Sequence, residues 1–228
     1  MVEETLSRLL IASTNSGKLA EFKALLSGCF ECLSPSDPAF AAGTFTDVLE
    51  DGLTYQQNAQ KKVDSYFSMA RVPVLADDSG LEVSVLNGGP GVHSARLGGE
   101  KLDWKARWQY LYEQLKPFPQ HEWTATFRCV LCFHDGQSVQ FFEGTVRGLI
   151  APQPRGENGF GYDALFFCPE IGKTFGEALP SEKEQVSHRS RAVKSFLTWW
   201  KSVRLTGQIG IGRVSSNCPG SSVGRAED

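Results

Sequence analysis

Two alternating apolar runs, residues 123–133 and 138–146, meet at Asp135-Gly136. A period of two marks a half-buried strand and Asp-Gly favours a tight reversal, so this region predicts a long antiparallel hairpin. Such a hairpin excludes an all-helical or purely parallel architecture. Upstream the pattern changes. Arg8-Leu-Leu-Ile-Ala-Ser13 is a short strand-like run ending in polar residues, and Leu19, Phe22, Leu25 and Leu26 follow at helical spacing. A helix is expected over residues 54–70, with Thr54 as its N-cap. A buried strand at 72–76 then empties into Asp77-Asp78-Ser79-Gly80, read as a loop, before residues 81–85 resume a strand pattern. Asp103 caps a helix carrying Trp104, Trp108, Leu111 and Leu115, and a single helix from Ser181 to about Arg204 buries Val186, Val193, Phe196, Leu197 and Trp200. Helices alternating with strands early and a hairpin late predict an α/β fold, a mixed sheet flanked by helices.

At 228 residues the chain fits one large domain or two small lobes, and 41% hydrophobic residues exclude a disordered chain. Residues 207–228 contain five Gly, four Ser and no aromatic, so they are read as a flexible tail on a single domain of residues 1–206. No apolar run reaches the ~18 residues of a membrane span, and the acidic start Met-Val-Glu-Glu-Thr does not suit a secretory leader, which together predict a cytoplasmic protein. A net charge of −3 gives no general attraction to nucleic acid or anionic membrane, so an anionic ligand must be captured locally. Two CxxC pairs, Cys29/Cys32 and Cys129/Cys132, suggest zinc at first. The second pair lies in a strand pattern that sends its members to opposite faces, and the first lacks a Gly or basic residue between its cysteines, so these are read as buried or incidental thiols.

Three segments carry chemistry. Ser13-Thr14-Asn15-Ser16-Gly17-Lys18 joins the first strand to its helix, where backbone N–H groups and the helix dipole bind phosphate. It is not a P-loop, because Ala12 and Leu19 stand where Gly and Ser or Thr are required. Either it is an anion site with Lys18 as a point charge, or a helix cap with a solvated lysine. Asp77-Asp78 suits Mg²⁺, which takes one or two carboxylates plus phosphate oxygens, or else stabilises a turn; Glu50 and Asp51 are a second acidic pair that can approach the same ion or simply favour a helix start. Gly159-Phe160-Gly161-Tyr162-Asp163, with Lys183 and Ser187-His188-Arg189, can take a flat ring on Phe160 and a carbonyl on Arg189, which offers only donors. The other reading of this last segment is a solvated basic helix.

In order along the chain, these segments, with Gly52-Leu-Thr-Tyr, Asn58-Ala59 and Gly89-Pro-Gly-Val-His-Ser-Ala-Arg96, closely resemble the inosine/xanthosine triphosphate pyrophosphatase family. The resemblance implies an elongated mixed sheet with two lobes around a nucleotide cleft, a homodimer, and Mg²⁺. It implies hydrolysis of ITP, dITP and XTP to the monophosphate and pyrophosphate. Residue by residue, it makes Asp78 the proton acceptor and a metal ligand, and Glu50 the second metal-binding acid. It makes Ser13 to Lys18 the triphosphate loop, Lys62 a lysine facing the phosphates, and Ser79 a substrate contact. Phe160, Gly161, Tyr162, Asp163, Lys183, His188 and Arg189 become nucleotide and base contacts. Arg189 would accept the 6-keto group of hypoxanthine or xanthine and refuse the amine of adenine; guanine shares the keto group. The chain departs from the family at Gln57, where Glu is usual and a negative charge near the metal is lost, at Ala164 for Pro, at His93 for Tyr, and in its Gly-rich tail. The remaining alternatives are a related pyrophosphatase for pyrimidine or modified nucleotides, and a nucleotide- or nucleic-acid-binding module without turnover.

Overall fold

The strands β1 (Ser7–Ile11), β2 (Phe30–Leu33), β3 (Val74–Val83), β4 (Thr124–His134), β5 (Val139–Ile150), β6 (Phe166–Cys168) and β7 (Lys173–Thr174) form one sheet in a computed structural model that describes residues 7–41 and 43–205. Their order is β2-β1-β3-β4-β5-β6-β7. β1 is parallel to β2 and β3, and every later neighbour is antiparallel, so the sheet is mixed as the sequence predicts. The β4–β5 hairpin turns where expected: Asp135 Oδ1 accepts the N–H groups of Gln137 and Ser138, and Gly136 takes φ +92°. The short β2 has no counterpart in the sequence reading, since four residues, Phe-Glu-Cys-Leu, are too few to show a period.

The helices are α1 (Ser16–Leu25), α2 (Tyr55–Ala70), α3 (Trp104–Leu115), α4 (Pro180–Val186) and α5 (His188–Leu205). Their starts follow local chemistry. Asn15, Thr54 and Asp103 accept the N–H of the residue three further on and cap α1, α2 and α3. Where one helix was expected from Ser181, the chain breaks at Ser187. This residue is extended (φ −68°, ψ 157°), and its hydroxyl accepts the Ser190 N–H, so it caps a new helix.

The sequence predicts a loop at Asp77-Asp78-Ser79-Gly80. These residues lie inside β3, paired with Leu131 to Arg128 of β4, and form no loop. Ten consecutive ladder pairs with the long hairpin strand hold polar residues extended that would otherwise turn. They also fall at a seam between cores. Leu75 packs with α5 residues Phe196 and Trp200, Ala76 packs with α2 residues Ala59 and Val63, and Leu81 joins a separate cluster with Leu111 and Phe166. The stretch between is polar because a cleft opens there.

Cys129 and Cys132 sit in different cores on opposite faces of β4, which rules out a shared zinc ion. Burial pushes both thiols up to about 12. Cys32, Cys129, Cys132 and Cys168 are free, but Cys29 is disulfide-bonded, contrary to its expected state as a thiol. No helix among the described residues is long and apolar enough to cross a membrane. The predicted tail, residues 207–228, lies outside the described residues.

Candidate active site

A cleft of about 990 Å³ opens between the sheet's seam, the loop before α2 and the Gly159–Asp163 segment. All the predicted site residues line it except Ser16, Gly17 and Lys183. Strand alternation divides the acids at its floor. Asp78 faces α2, where Asn58 Nδ2 donates to its Oδ2 at 2.9 Å. Asp77 and Ser79 face the other way, and the Ser79 hydroxyl donates to Asp77 Oδ2. Lys18 Nζ lies 2.8 Å and Arg189 Nε 3.6 Å from that same oxygen.

These settings push the two carboxyls in opposite directions. Burial raises Asp78, and Glu50 adds to the shift; Lys62, the Asn58 amide and Lys18 oppose it without reversing it. Burial acts on Asp77 as well, but the charges of Lys18, Arg189 and Lys62 outweigh it and hold this carboxyl far below the usual range. Asp77 is a fixed anion that organises cations, whereas Asp78 is the more basic of the pair. Lys62 is buried, yet Asp77, Glu50 and Asp78 raise its pKa and keep it charged.

Asn58, named above only within a motif, and Glu21 are not among the expected site residues. Asn58 is fully buried and ties three parts together, since its Oδ1 accepts the Gly52 N–H at 2.7 Å while its amide holds Asp78. A polar residue between Gln57 and Ala59 on the buried face of an amphipathic helix was the available signal. Glu21 accepts from Lys183 at 2.6 Å and from Arg189 at 2.7 Å, partners 162 and 168 residues away, and local spacing carries no trace of contacts so distant. Gln57 is not among the residues that line the cleft. Its Oε1 accepts the Leu53 N–H at 2.7 Å beside the α2 cap, so the missing negative charge belongs to a helix terminus.

The cleft also has an aromatic wall. Phe160 lies directly over Gly17, where a Cβ would come within 2.5 Å of its ring. Asp163 Oδ2 accepts the Phe160 N–H at 2.8 Å, and Trp108 Nε1 donates to Gly161 O at 2.9 Å, fixing the loop from both sides. Arg189 Cζ and Lys183 Nζ each stand 5.1 Å from the Phe160 ring centroid. Lys183 is set behind the lining, paired with Glu21 and Asp163. His188 stacks on Phe127 at 4.7 Å; burial, then the charges of Arg189 and Lys183, press its pKa well below normal and leave it neutral. His188 and Arg189 in the first turn of α5, and Lys183 in α4, are buried and are not a solvated basic face.

Whether the lining suits the divalent cation that the resemblance implies depends on its charge. Asp47, Glu50, Asp51, Asp78, Glu100 and Asp163 outnumber Lys18, Lys62, Arg96 and Arg189, so the lining offers a triphosphate no excess of positive charge. Asp78 and Glu50 both line the cleft, and Lys62, ion-paired to Glu50 at 2.9 Å, carries charge that acts on both; two such carboxylates are a set that Mg²⁺ would take. No cluster of three or more His, Cys, Asp or Glu ligands occurs among the described residues, so phosphate oxygens and water would complete the shell.

The Ham1 family model matches residues 9–199, the strands, helices and cleft just described. The chain belongs to the Ham1 family. Relatives in this family include the dITP/XTP pyrophosphatase of Geobacter sulfurreducens, 43% identical over 85% of this chain and 98% of its own length. The dITP/XTP pyrophosphatase of Bacillus subtilis is 39% identical over 82% and 93%. Among solved structures, a Ham1 protein from Coxiella burnetii aligns with TM-score 0.76 at 33% identity, covering 86% of this chain and all of its own. The Ham1 protein of Staphylococcus aureus aligns with TM-score 0.74 at 34% identity over 86% and 99%.

Proposed function

We propose that this Ham1-family chain hydrolyses the α–β phosphoanhydride of ITP, dITP and XTP, releasing the nucleoside monophosphate and pyrophosphate. The observation that carries this reading is one cleft lined both by Asp78, a carboxylate of raised basicity, and by the Phe160–Arg189 pair. The relatives' activities support the substrate class.

In the proposed reaction Asp78 orients a water molecule and takes its proton as the oxygen attacks the α-phosphorus. The bond from that phosphorus to the bridging oxygen breaks, and pyrophosphate leaves with its electron pair. Lys62 and Lys18 oppose the negative charge that grows on the phosphate oxygens. Backbone N–H groups at the Asn15-capped start of α1 receive further phosphate oxygens. Asp78 and Glu50 would hold Mg²⁺, which when bound supplies the positive charge that an acid-rich lining lacks. Phe160 stacks the base. Arg189, held by Glu21 and Asp77, donates to a 6-keto oxygen and meets only an amine at the 6-position of adenine. The proposal includes a cytoplasmic homodimer, with the dimer checked by sedimentation.

The test is pyrophosphate released from a panel of nucleoside triphosphates with and without Mg²⁺. ITP, dITP and XTP are expected to exceed ATP, CTP and UTP by orders of magnitude. A pyrimidine preference would replace the substrate, and binding without release would leave a binding module.

A further inference from the structure

Three of the four lysine and arginine side chains that line the cleft are neutralised where they stand. Lys18 meets Asp77 at 2.8 Å, Lys62 meets Glu50 at 2.9 Å, and Arg189 meets Glu21 at 2.7 Å. Arg96 makes no ion pair among the described residues. Neutral acceptors hold its guanidinium instead: Nη2 donates to the Glu50 carbonyl at 2.9 Å, and Nε donates to His93 Nδ1 at 3.2 Å. Nη1 has no hydrogen-bond partner among the described residues. Asp51, whose carboxyl feels the Arg96 charge, is already bonded to Lys61.

The segment that carries Arg96 is built to approach the floor closely. Ser94 Oγ accepts the Leu81 N–H at 2.8 Å, just beyond Asp78-Ser79-Gly80, and donates to Gly91 O at 2.6 Å. Gly80 permits this contact, because a Cβ there would fall 2.3 Å from Gly91 O. Residues 91–96 are therefore stapled to β3, and Arg96 is anchored to the backbone of the loop that presents Glu50. A planar guanidinium fixed by two neutral acceptors, with its charge unmatched and a free N–H edge, is preorganised for an oxyanion.

We propose that Arg96 binds the pyrophosphate half of the substrate and remains on pyrophosphate as it leaves, with His93 as a positioning residue that sets the guanidinium plane. The proposal rests on the pyrophosphatase reading for its substrate. The Glu50 carbonyl that holds its guanidinium puts Arg96 beside a carboxylate of the acidic pair, so it is assigned to the phosphates and not to the base.

The test is calorimetric titration of inorganic pyrophosphate and, separately, inosine monophosphate into the full chain with Mg²⁺ present, for wild type, Arg96→Ala and Arg96→Lys, alongside ITP kinetics and thermal melts. Arg96→Ala should weaken pyrophosphate binding tenfold or more, leave inosine monophosphate within twofold, and lower kcat/KM for ITP at least tenfold; Arg96→Lys should recover part of each loss. Unchanged pyrophosphate affinity with reduced turnover would reduce Arg96 to a support for the Glu50 loop and overturn the proposal, as would an equal loss for the monophosphate. A wild type that binds pyrophosphate through Arg96 yet hydrolyses no triphosphate would sink the parent reading and leave this one standing.

Discussion

Asp77 and Asp78 are neighbours in β3, and their opposite shifts make separable predictions. Asp77 has three cations for company, so replacing it removes the acceptor that Lys18 and Arg189 share. Asp77→Asn is expected to destabilise the fold by about 3–5 kcal/mol in urea titration, the usual consequence of leaving buried charge unmatched. Its folded pKa is depressed, so its stabilisation is present above the ordinary carboxylate value of about 3.9 and is lost as pH falls below that value. Wild type should therefore lose stability below about pH 4 more steeply than Asp77→Asn. Asp78 has the reverse sign, because a raised folded pKa makes its ionised form a burden on stability at neutral pH. Asp78→Asn is expected to keep or raise the melting temperature while kcat falls by about 10²–10⁴-fold, the range for losing a general base. Because the base must be ionised, wild-type turnover should climb with pH through the raised Asp78 value. A flat profile, or near-normal activity in Asp78→Asn, would remove it from that role.

At the scale of elements, the break between α4 and α5 has a purpose that one continuous helix would not serve. Ser187 ends one helix and caps the next, so the first turn of α5 is redirected and delivers His188 and Arg189 into the cleft beside Phe127 and Phe160. Ser187→Ala is expected to cost about 1 kcal/mol, the usual value of an N-cap, and to narrow the preference for ITP over ATP by loosening Arg189. Equal selectivity in the variant would show that Glu21 and Asp77 hold Arg189 without the cap. The same logic links α1 to α5. The helix that follows the Ser13–Lys18 loop also carries Glu21, so the phosphate loop and the base-reading arginine are coupled through one carboxylate.

For the whole molecule, the charge of the cleft decides more than the charge of the chain. A net −3 leaves the surface indifferent to anions, and even the cleft lining carries more acid than base. Triphosphate binding is thus expected to depend on added positive charge. Chelation with EDTA should abolish pyrophosphate release, and excess Mg²⁺ should restore it; activity that survives chelation would show that Lys18, Lys62 and Arg96 suffice without a cation. The cleft lies where three apolar cores meet, which lets polar residues sit mid-strand without breaking any one core.

Local pattern was enough to determine the hairpin at Asp135-Gly136, the caps at Thr54 and Asp103, the mixed sheet, and the ordered motifs from Ser13 to Arg189. Each depends on residues within a turn or two of one another, where periodicity and capping chemistry act directly. Only the tertiary structure decided that Asp77-Asp78-Ser79-Gly80 is strand, because ten pairings with β4 override the turn preference of those residues. It alone brought Glu21 to Lys183 and Arg189, and it alone turned Gln57 from a metal question into a helix cap. The sequence names which groups carry charge; which of those charges are already matched depends on contacts between residues 12 to 168 positions apart, and in this cleft that difference leaves Arg96 without an ion pair among the described residues.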